Sequence, residues 1–179
     1  SHTFEPVDVP DPATVDRFLP LKDARAILRP GVVSRLGSFT GPDHYVEFRH
    51  QVAEAMDRVL PKLEEVESEY ARQVGRVLGG PLVGYRTEDA DAVLLTLGTT
   101  STTARGVVDD LRASGRKVGM AKLRVFRPFP VEAVRQLARS VSRLGVLDRS
   151  FTFGALGPAA SEVCSSLYGV PSPPSLSSF

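Results

Sequence analysis

The sequence AVLLTLG at residues 92–98, followed by TTSTT at residues 99–103, decides the fold class. A short run that is almost entirely apolar is typical of a strand covered on both faces, as in a parallel sheet. The glycine then stops the run, and hydroxyl side chains follow where a helix can begin. Apolar residues recur at helical spacing from Ala104 to Leu111, and Gly115 supplies the positive φ that ends many helices. We therefore expect a strand, a turn and a helix here.

The same alternation of strand and helix continues along the chain. After a lead-in at residues 83–86 and the unit just described, the sequence predicts a strand at 117–126, a helix opened by Pro130, a strand at 144–147 and a helix over Ala159–Leu167. This alternation predicts an α/β fold, a three-layer, mostly parallel sheet with flanking helices and right-handed crossovers. The alternation of strands and helices predicts one more strand at residues 175–179, where the chain stops, so we expect a fragment or a split subunit.

The residues before this domain predict an arm and a long helix. Residues 1–40 are rich in proline and indicate an extended interdomain connector, with about two helical turns after Asp11. Residues 41–80 carry one apolar stripe at helical spacing, and we expect Pro61 to kink or divide this helix. Its length favours a bridge between domains or subunits, although a surface helix packed on its own domain is the alternative. The α/β domain should then occupy residues 81–179, cut short at its carboxyl end.

Composition excludes several classes of function. The 179 residues include 24% charged and 42% hydrophobic residues, as in a soluble globular protein, and the formal net charge is +1. So small a charge gives no electrostatic case for nucleic acid or an anionic membrane as the main partner. No apolar run approaches the roughly 20 residues that span a bilayer. We expect a cytoplasmic protein.

Metal-binding and nucleophilic side chains are few. Cys164 is the single cysteine, which excludes an intramolecular disulfide, and we expect it to be a small buried side chain. His44 and His50 lie on the predicted long helix, but their spacing puts them on different faces. No serine–histidine–acid set and no pair of catalytic carboxylates can be assigned. We therefore predict neither a metal site nor a catalytic residue in this chain.

The best candidate ligand loop consists of Gly98, Thr99, Thr100, Ser101 and Thr102. A strand, a glycine and a helix N-terminus together point N–H donors and a positive dipole at one place, which suits a phosphate or carboxylate. The loop is neither a Walker sequence nor a complete dinucleotide fingerprint. We favour the alternative that the hydroxyl groups simply cap the helix.

A second set of candidates lies mostly where the predicted strands end: Arg124, Arg127, Asp148 and Arg149, together with Arg49 on the long helix. Ligands of open parallel sheets collect at the carboxyl edge. Asp148 could pair with Arg127 or Arg149 and hold the strand ends in register. We expect a structural or interface network rather than catalysis. The N-terminus of the helix that follows Pro158 is a second candidate anion site.

Several blocks of sequence carry a family resemblance. KLRVFRPFP at residues 122–130 and VLDRSFTFG at residues 146–154 resemble the α subunit of pyruvate:ferredoxin oxidoreductase and related 2-oxoacid:ferredoxin oxidoreductases. YRTEDAD at residues 85–91, TGPDHYVEFR at residues 40–49 and the start Ser1-His2-Thr3 extend the resemblance over nearly the whole chain. Each block alone is a weak signal, but their order is specific.

This resemblance implies a place in a larger enzyme. That enzyme would oxidatively decarboxylate a 2-oxoacid to an acyl-coenzyme A, using thiamine diphosphate, magnesium and iron–sulfur clusters, and would pass single electrons to ferredoxin. The thiamine-pyrimidine domain would precede Ser1, and the other cofactors would belong to other domains or subunits. The present chain would match the second domain, similar to the carboxyl-terminal domain of transketolases. Its implied role is assembly, so no cofactor and no catalytic residue is carried over to it.

One departure from the family and two alternative functions stay open. The family usually continues beyond the last strand, whereas this chain stops at Phe179. The chain could instead be a binding module for a phosphate-bearing ligand, such as a nucleotide or coenzyme A, at residues 98–103. It could also be an interaction scaffold in which the long helix and the arm dock a partner.

Overall fold

A computed structural model describes residues 7–20, 30, 31, 33, 37 and 39–179. Contacts between residues divide the chain into two compact units, Ser1–Leu78 and Gly79–Phe179. The division at residues 40 and 80 stays a prediction. Much of the predicted connector, and the block Ser1-His2-Thr3, lie outside the described residues.

The described part of the first unit contains three helices: α1 at Pro12–Phe18, α2 at Pro42–Asp57 and α3 at Val59–Val74. The short helix expected after Asp11 is confirmed. The carboxylate of Asp11 accepts hydrogen bonds from the backbone N–H of Thr14 at 3.0 Å and from its hydroxyl at 2.6 Å. Hydrogen bonding to Thr14, first from its hydroxyl, lowers the pKa of Asp11 below its ordinary value. Phe18 of α1 packs edge-on against Tyr70 of α3, with ring centroids 5.2 Å apart.

The predicted long helix is two helices. The break falls at Arg58, three residues before Pro61, and Pro61 lies in the first turn of α3. A proline there has no N–H to bond back along the chain, and its ring would meet the carbonyl of a continuous helix four residues earlier. The first turn of a helix tolerates both effects, so the chain restarts the helix just before the proline.

The second unit contains one five-stranded sheet. Its strands are β1 at Leu82–Tyr85, β2 at Ala92–Leu97, β3 at Val118–Leu123, β4 at Arg143–Val146 and β5 at Ser175–Ser178. They lie in the order β1-β3-β2-β4-β5, and only β1 is antiparallel to its neighbour. The predicted α/β fold with a mostly parallel sheet is confirmed. The strand expected near residue 175 is present as β5, although its serine-rich sequence lacks an apolar run.

Helices cover the sheet on both faces. Helix α4 at Thr100–Ala113 packs on β2 and β3, with Ala104 and Val108 against Met120. Helices α5 at Val131–Ser140 and α6 at Pro158–Leu167 cover the opposite face. The core under α5 and α6 includes the fully buried side chains of Leu95, Val134, Val146 and Val163.

One stretch of the α4 face is open. An apolar groove of about 450 Å³ lies between α4 and the β4–β5 edge of the sheet. Its walls include Leu94, Val107, Leu111, Gly145 and Phe179. A side chain at Gly145 would approach Leu94 to 3.2 Å and Phe179 to 3.4 Å and would fill part of the groove. The glycine therefore leaves this space open.

Candidate functional site

The carboxyl ends of β2, β3 and β4 meet at a cleft of about 290 Å³, which we name the strand-end cleft. Its lining residues are Leu97, Gly98, Phe126, Leu147, Asp148, Arg149, Ser150 and Pro158. The cleft therefore brings one member of the predicted ligand loop together with two members of the predicted strand-end set. Parallel strands place residues that are distant in sequence at one edge.

The predicted ligand loop does not converge on one point. Gly98, with a positive φ of 59°, lines the strand-end cleft, whereas Thr100 lines the apolar groove beside α4. Ser101 is buried and accepts a hydrogen bond of 2.9 Å from the hydroxyl of Thr96. Thr99 occupies the N-cap position but makes no side-chain capping bond within the described part of the chain. Hydroxyl capping, which the sequence favoured, is therefore wrong for Thr99, because its backbone is already helical rather than extended.

Asp148 caps a helix that begins ten residues later. Its carboxylate accepts hydrogen bonds from the backbone N–H groups of Ala159 and Ala160 at 3.1 and 3.0 Å. These are orphan donors in the first turn of α6, whose dipole also favours a negative charge. The anion site suggested at this helix start is thus occupied by the domain's own carboxylate. A side chain at Gly157 would come within 2.3 Å of that carboxylate, so the position requires glycine.

Arg127 and Arg124 also find partners within the domain. The guanidinium of Arg127 bonds to Glu162 of α6 at 2.5 Å and lies 4.3 Å from the centre of the Phe126 ring. Arg124 donates to the carbonyl of Gly80 at 2.6 Å, which ties the end of β3 to the start of β1. The sequence left Arg127 and Arg149 open as partners of Asp148. In the structure Arg127 pairs with Glu162, and Asp148 accepts hydrogen bonds from two backbone donors at the start of α6.

The two remaining members of the predicted set are exposed. Arg149 lies at the rim of the strand-end cleft. Arg49 belongs to α2 in the first unit, whereas the other four belong to the second. Its grouping with the strand-end arginines stays a prediction.

A loop whose apolar side chains were not among the predicted candidates borders the cleft. We name residues 149–156, between β4 and α6, the aromatic loop. The side chains of Phe151, Phe153 and Leu156 are exposed, and the two phenylalanine rings meet edge to face with centroids 5.3 Å apart. The signal in the sequence was two phenylalanines, one residue apart, in a segment bounded by a strand and by a Gly–Pro helix start.

A second cluster was also missed, at the β1 edge of the sheet. The hydroxyl of Tyr85 donates to the carboxylate of Asp109 at 3.0 Å, and Arg86 bonds to the same carboxylate at 2.8 Å. Hydrogen bonding to Tyr85 and attraction to Asp109 raise the pKa of Arg86. Arg86 has a positive φ of 53°, and a side chain at Gly119 would come within 2.4 Å of its carbonyl oxygen. The cluster therefore fastens β1 to α4.

The cofactors implied by the family resemblance require particular ligand residues. Iron–sulfur clusters are held mainly by several cysteine thiolates, and Cys164 is the single cysteine. The residues of this chain therefore do not fit a cluster. Across the described residues, no group of three or more His, Cys, Asp or Glu side chains is placed to hold a metal ion. No helix within the same described ranges is long and apolar enough to cross a membrane.

Comparison with known proteins places these features in context. Residues 90–178 match the family model described as pyruvate:ferredoxin oxidoreductase core domain II. The chain is 40% identical over 163 residues to the pyruvate synthase subunit PorA of Methanothermobacter thermautotrophicus, an alignment that covers 91% of the chain and 42% of the relative. The chain thus spans less than half the length of this relative.

Two further relatives bear other names. The chain is 36% identical to the alpha subunit of NADH-dependent phenylglyoxylate dehydrogenase of Aromatoleum evansii, with 90% of the chain and 41% of the relative covered. It is 37% identical to the ketoisovalerate oxidoreductase subunit VorA of Pyrococcus horikoshii, with 94% and 43% covered.

A solved structure shares the fold. The 2-oxoglutarate:ferredoxin oxidoreductase from Magnetococcus marinus, with 2-oxoglutarate, coenzyme A and succinyl-CoA bound, is similar with a TM-score of 0.50 and 16% identity. The similarity covers 78% of the present chain and 20% of that chain. At this identity, the likeness concerns the fold alone.

Proposed function

Because the chain belongs, over residues 90–178, to the pyruvate:ferredoxin oxidoreductase core domain II family, we propose that it is the assembly domain of a 2-oxoacid oxidoreductase subunit. Its role is to fold into a stable α/β body and to offer surfaces to the neighbouring domains and subunits. The reaction takes place in other polypeptide of the complex.

The observation that carries this proposal is that polar groups at the carboxyl edge are engaged inside the domain. Asp148 binds the start of α6, Arg127 binds Glu162, and Ser101 binds Thr96. A ligand site holds a few polar groups that converge on a shared cavity and remain available to the ligand. Here these polar groups stabilise the strand ends, while apolar side chains of α2 and the aromatic loop face solvent.

The relatives support a role that is independent of the substrate. The chain is 36 to 40% identical to subunits of enzymes named for pyruvate, phenylglyoxylate and ketoisovalerate, and it aligns over about nine-tenths of its length with each. If this domain selected the 2-oxoacid, similarity would be expected to follow the substrate. A domain that supports assembly can serve all three enzymes.

The proposal for the whole enzyme follows the family resemblance. The complex oxidatively decarboxylates a 2-oxoacid to an acyl-coenzyme A in the cytoplasm and passes electrons to ferredoxin. Thiamine diphosphate, magnesium and iron–sulfur clusters are held by domains or subunits other than this one. The partners of the chain are the thiamine-pyrimidine domain and the remaining subunits.

A second candidate function rests on one observation. Gly98, at the start of α4, and Arg149 line the same cleft, so a phosphate group of coenzyme A could meet backbone N–H groups and a guanidinium there. This alternative predicts that the loop hydroxyls and Arg149 determine the affinity for coenzyme A.

Steady-state kinetics of the assembled oxidoreductase separates the two functions. The variant Thr99→Ala/Thr102→Ala removes two exposed hydroxyls of the loop, and Ser114→Ala, which removes an exposed hydroxyl at the far end of α4, is the control. The assembly role predicts that kcat and the KM for coenzyme A stay within about twofold of wild type. A rise of about tenfold or more in that KM, absent in the control, would establish the ligand-binding alternative. A complete complex that never turns over a 2-oxoacid would contradict the proposal for the whole enzyme.

A further inference from the structure

We propose that the aromatic loop is a docking surface for another subunit of the oxidoreductase. The Phe151–Phe153 pair inserts into an apolar pocket of that subunit, and Arg149 pairs with a carboxylate at the rim of the pocket. This inference rests on the proposed function, which supplies the neighbouring subunit.

The exposure of the two rings motivates the inference. Phe153 is 91% exposed and Phe151 is 71% exposed, and the rings contact each other rather than the core of the domain. Leu156, further along the same loop, is also exposed. Scattered single apolar residues are normal on a surface, whereas a cluster of large apolar side chains marks an interaction site.

Hydrogen bonds constrain the start and the middle of the loop. At one end, Asp148 is anchored to the N–H groups of Ala159 and Ala160 and donates its own N–H to the carbonyl of Phe179 at 3.1 Å. In the middle, the N–H of Ala155 donates to the carbonyl of Thr152 at 2.9 Å, and Gly154 adopts the positive φ of 78° that this turn uses. A surface ordered in advance loses little conformational entropy on binding.

Charge indicates the chemistry of the partner. Arg149 is exposed, and nothing acidic within the described residues pairs with it. The nearby acids are engaged elsewhere, since Asp148 binds α6 and Glu162 binds Arg127. The loop therefore presents one cation beside two aromatic rings, and both arginine and aromatic residues are enriched in protein interfaces. A complementary surface carries a carboxylate and an apolar pocket.

A second copy of this chain fits less well than a different subunit. A two-fold contact through the loop would bring the same patch from both copies together and would set two Arg149 side chains in one interface. Two guanidinium groups without a carboxylate between them repel.

Photo-crosslinking in the assembled complex tests the position of the loop. A benzophenone amino acid replaces Phe153 in the full-length subunit, and the same probe at Tyr168 is the control, because Tyr168 is also highly exposed but lies just after α6. We expect the probe at position 153 to cross-link a peptide of another subunit that contains or adjoins Asp or Glu, and the probe at 168 to miss that peptide. Probes at 153 that react only within their own subunit in an intact complex would overturn the inference.

Binding measurements with variants provide the second test. Arg149→Glu and Phe151→Ser/Phe153→Ser should each raise the Kd for assembly by about tenfold or more. Arg139→Glu reverses an exposed charge on α5 and should leave the Kd within about twofold. Thermal melting of each isolated subunit checks that the variants fold. Equal Kd values for Arg149→Glu and wild type would overturn the inference.

The outcomes also separate this inference from the proposed function. A complex that assembles and turns over normally with both loop variants contradicts the docking surface alone. A wild-type subunit that fails to bind its neighbours contradicts both. Binding of the complex to vesicles of anionic phospholipid that Arg149→Glu abolishes would assign the loop to a membrane surface and overturn the docking inference.

Discussion

Helices α6 and α2 start with the same sequence signal, but α6 is buried and α2 is exposed. Each starts with a glycine in the extended region at the N-cap, followed by proline at the first helical position. Helix α6 then buries Ala159, Ala160 and Val163 completely in the core. All 16 residues of α2 are exposed, although Tyr45, Phe48, Val52 and Met56 form an apolar stripe along it. The signal that starts a helix is local, whereas burial depends on the surface that covers it.

The difference has an energetic consequence. An isolated helix of about this length is only marginally stable in water, and tertiary packing supplies most of the stability of helices in proteins. Helix α6 obtains that packing from the sheet. The apolar stripe of helix α2 is exposed, so we infer that neighbouring polypeptide of the oxidoreductase covers it after assembly.

The largest expected effect comes from removing volume on the packed side. Leu95→Ala leaves a cavity in the fully buried core that α6 covers and should lower the free energy of unfolding by about 2–5 kcal/mol. Phe48→Ala on the stripe of α2 removes a larger side chain but should cost less than about 1 kcal/mol. Urea unfolding followed by circular dichroism measures both values. Similar losses would mean that α2 is packed in the isolated chain, and the contrast with α6 would disappear.

The next effect concerns the cap that attaches α6 to the sheet. Asp148→Ala leaves two N–H groups at the helix start without their carboxylate and should cost about 1–3 kcal/mol. Arg149→Ala is the matched control, since it removes an exposed neighbouring charge and should change stability by less than about 0.5 kcal/mol. Thermal melting of the three proteins compares them. A loss no larger for Asp148→Ala than for the control would contradict the capping role.

A smaller effect is expected where α2 meets α3. Pro61→Ala restores an N–H in the first turn of α3 and removes the ring that opposes a continuous helix. Helicity should extend through Arg58, with a change in stability of about 1 kcal/mol or less. Amide exchange at residues 58–61 measures the change. Unchanged exchange at Arg58 would mean that something other than the proline sets the break.

The smallest effect is a pH dependence at α1. Because hydrogen bonds from Thr14 lower the pKa of Asp11, they stabilise α1 above the ordinary carboxyl pKa and are lost as the pH falls through the lowered value. The amide resonance of Thr14 should therefore shift at a pH below that of an ordinary aspartate. Asp11→Asn should remove the shift. A titration of Asp11 at or above the ordinary value would contradict the cap.

The sequence predicted the layout of the sheet better than its details. Short apolar runs and the helical spacing of apolar residues located most elements of the second unit, because those residues form its buried core. These patterns did not reveal that Asp148 caps α6. That contact forms because the chain between β4 and α6 folds back and brings the start of α6 next to the end of β4. Likewise, Gly98 and Thr100 are close in sequence but line different cavities. Gly98 lies in the turn after β2, whereas Thr100 is the first residue of α4.

Amide hydrogen exchange across α2, measured in the isolated chain and in the assembled oxidoreductase, tests the central claim most directly. If neighbouring polypeptide covers the stripe, amides around Tyr45, Phe48 and Val52 should exchange rapidly in the isolated chain and at least tenfold more slowly in the complex. Exchange that is equally fast in both states would contradict the claim that this chain serves assembly through its uncovered apolar surfaces.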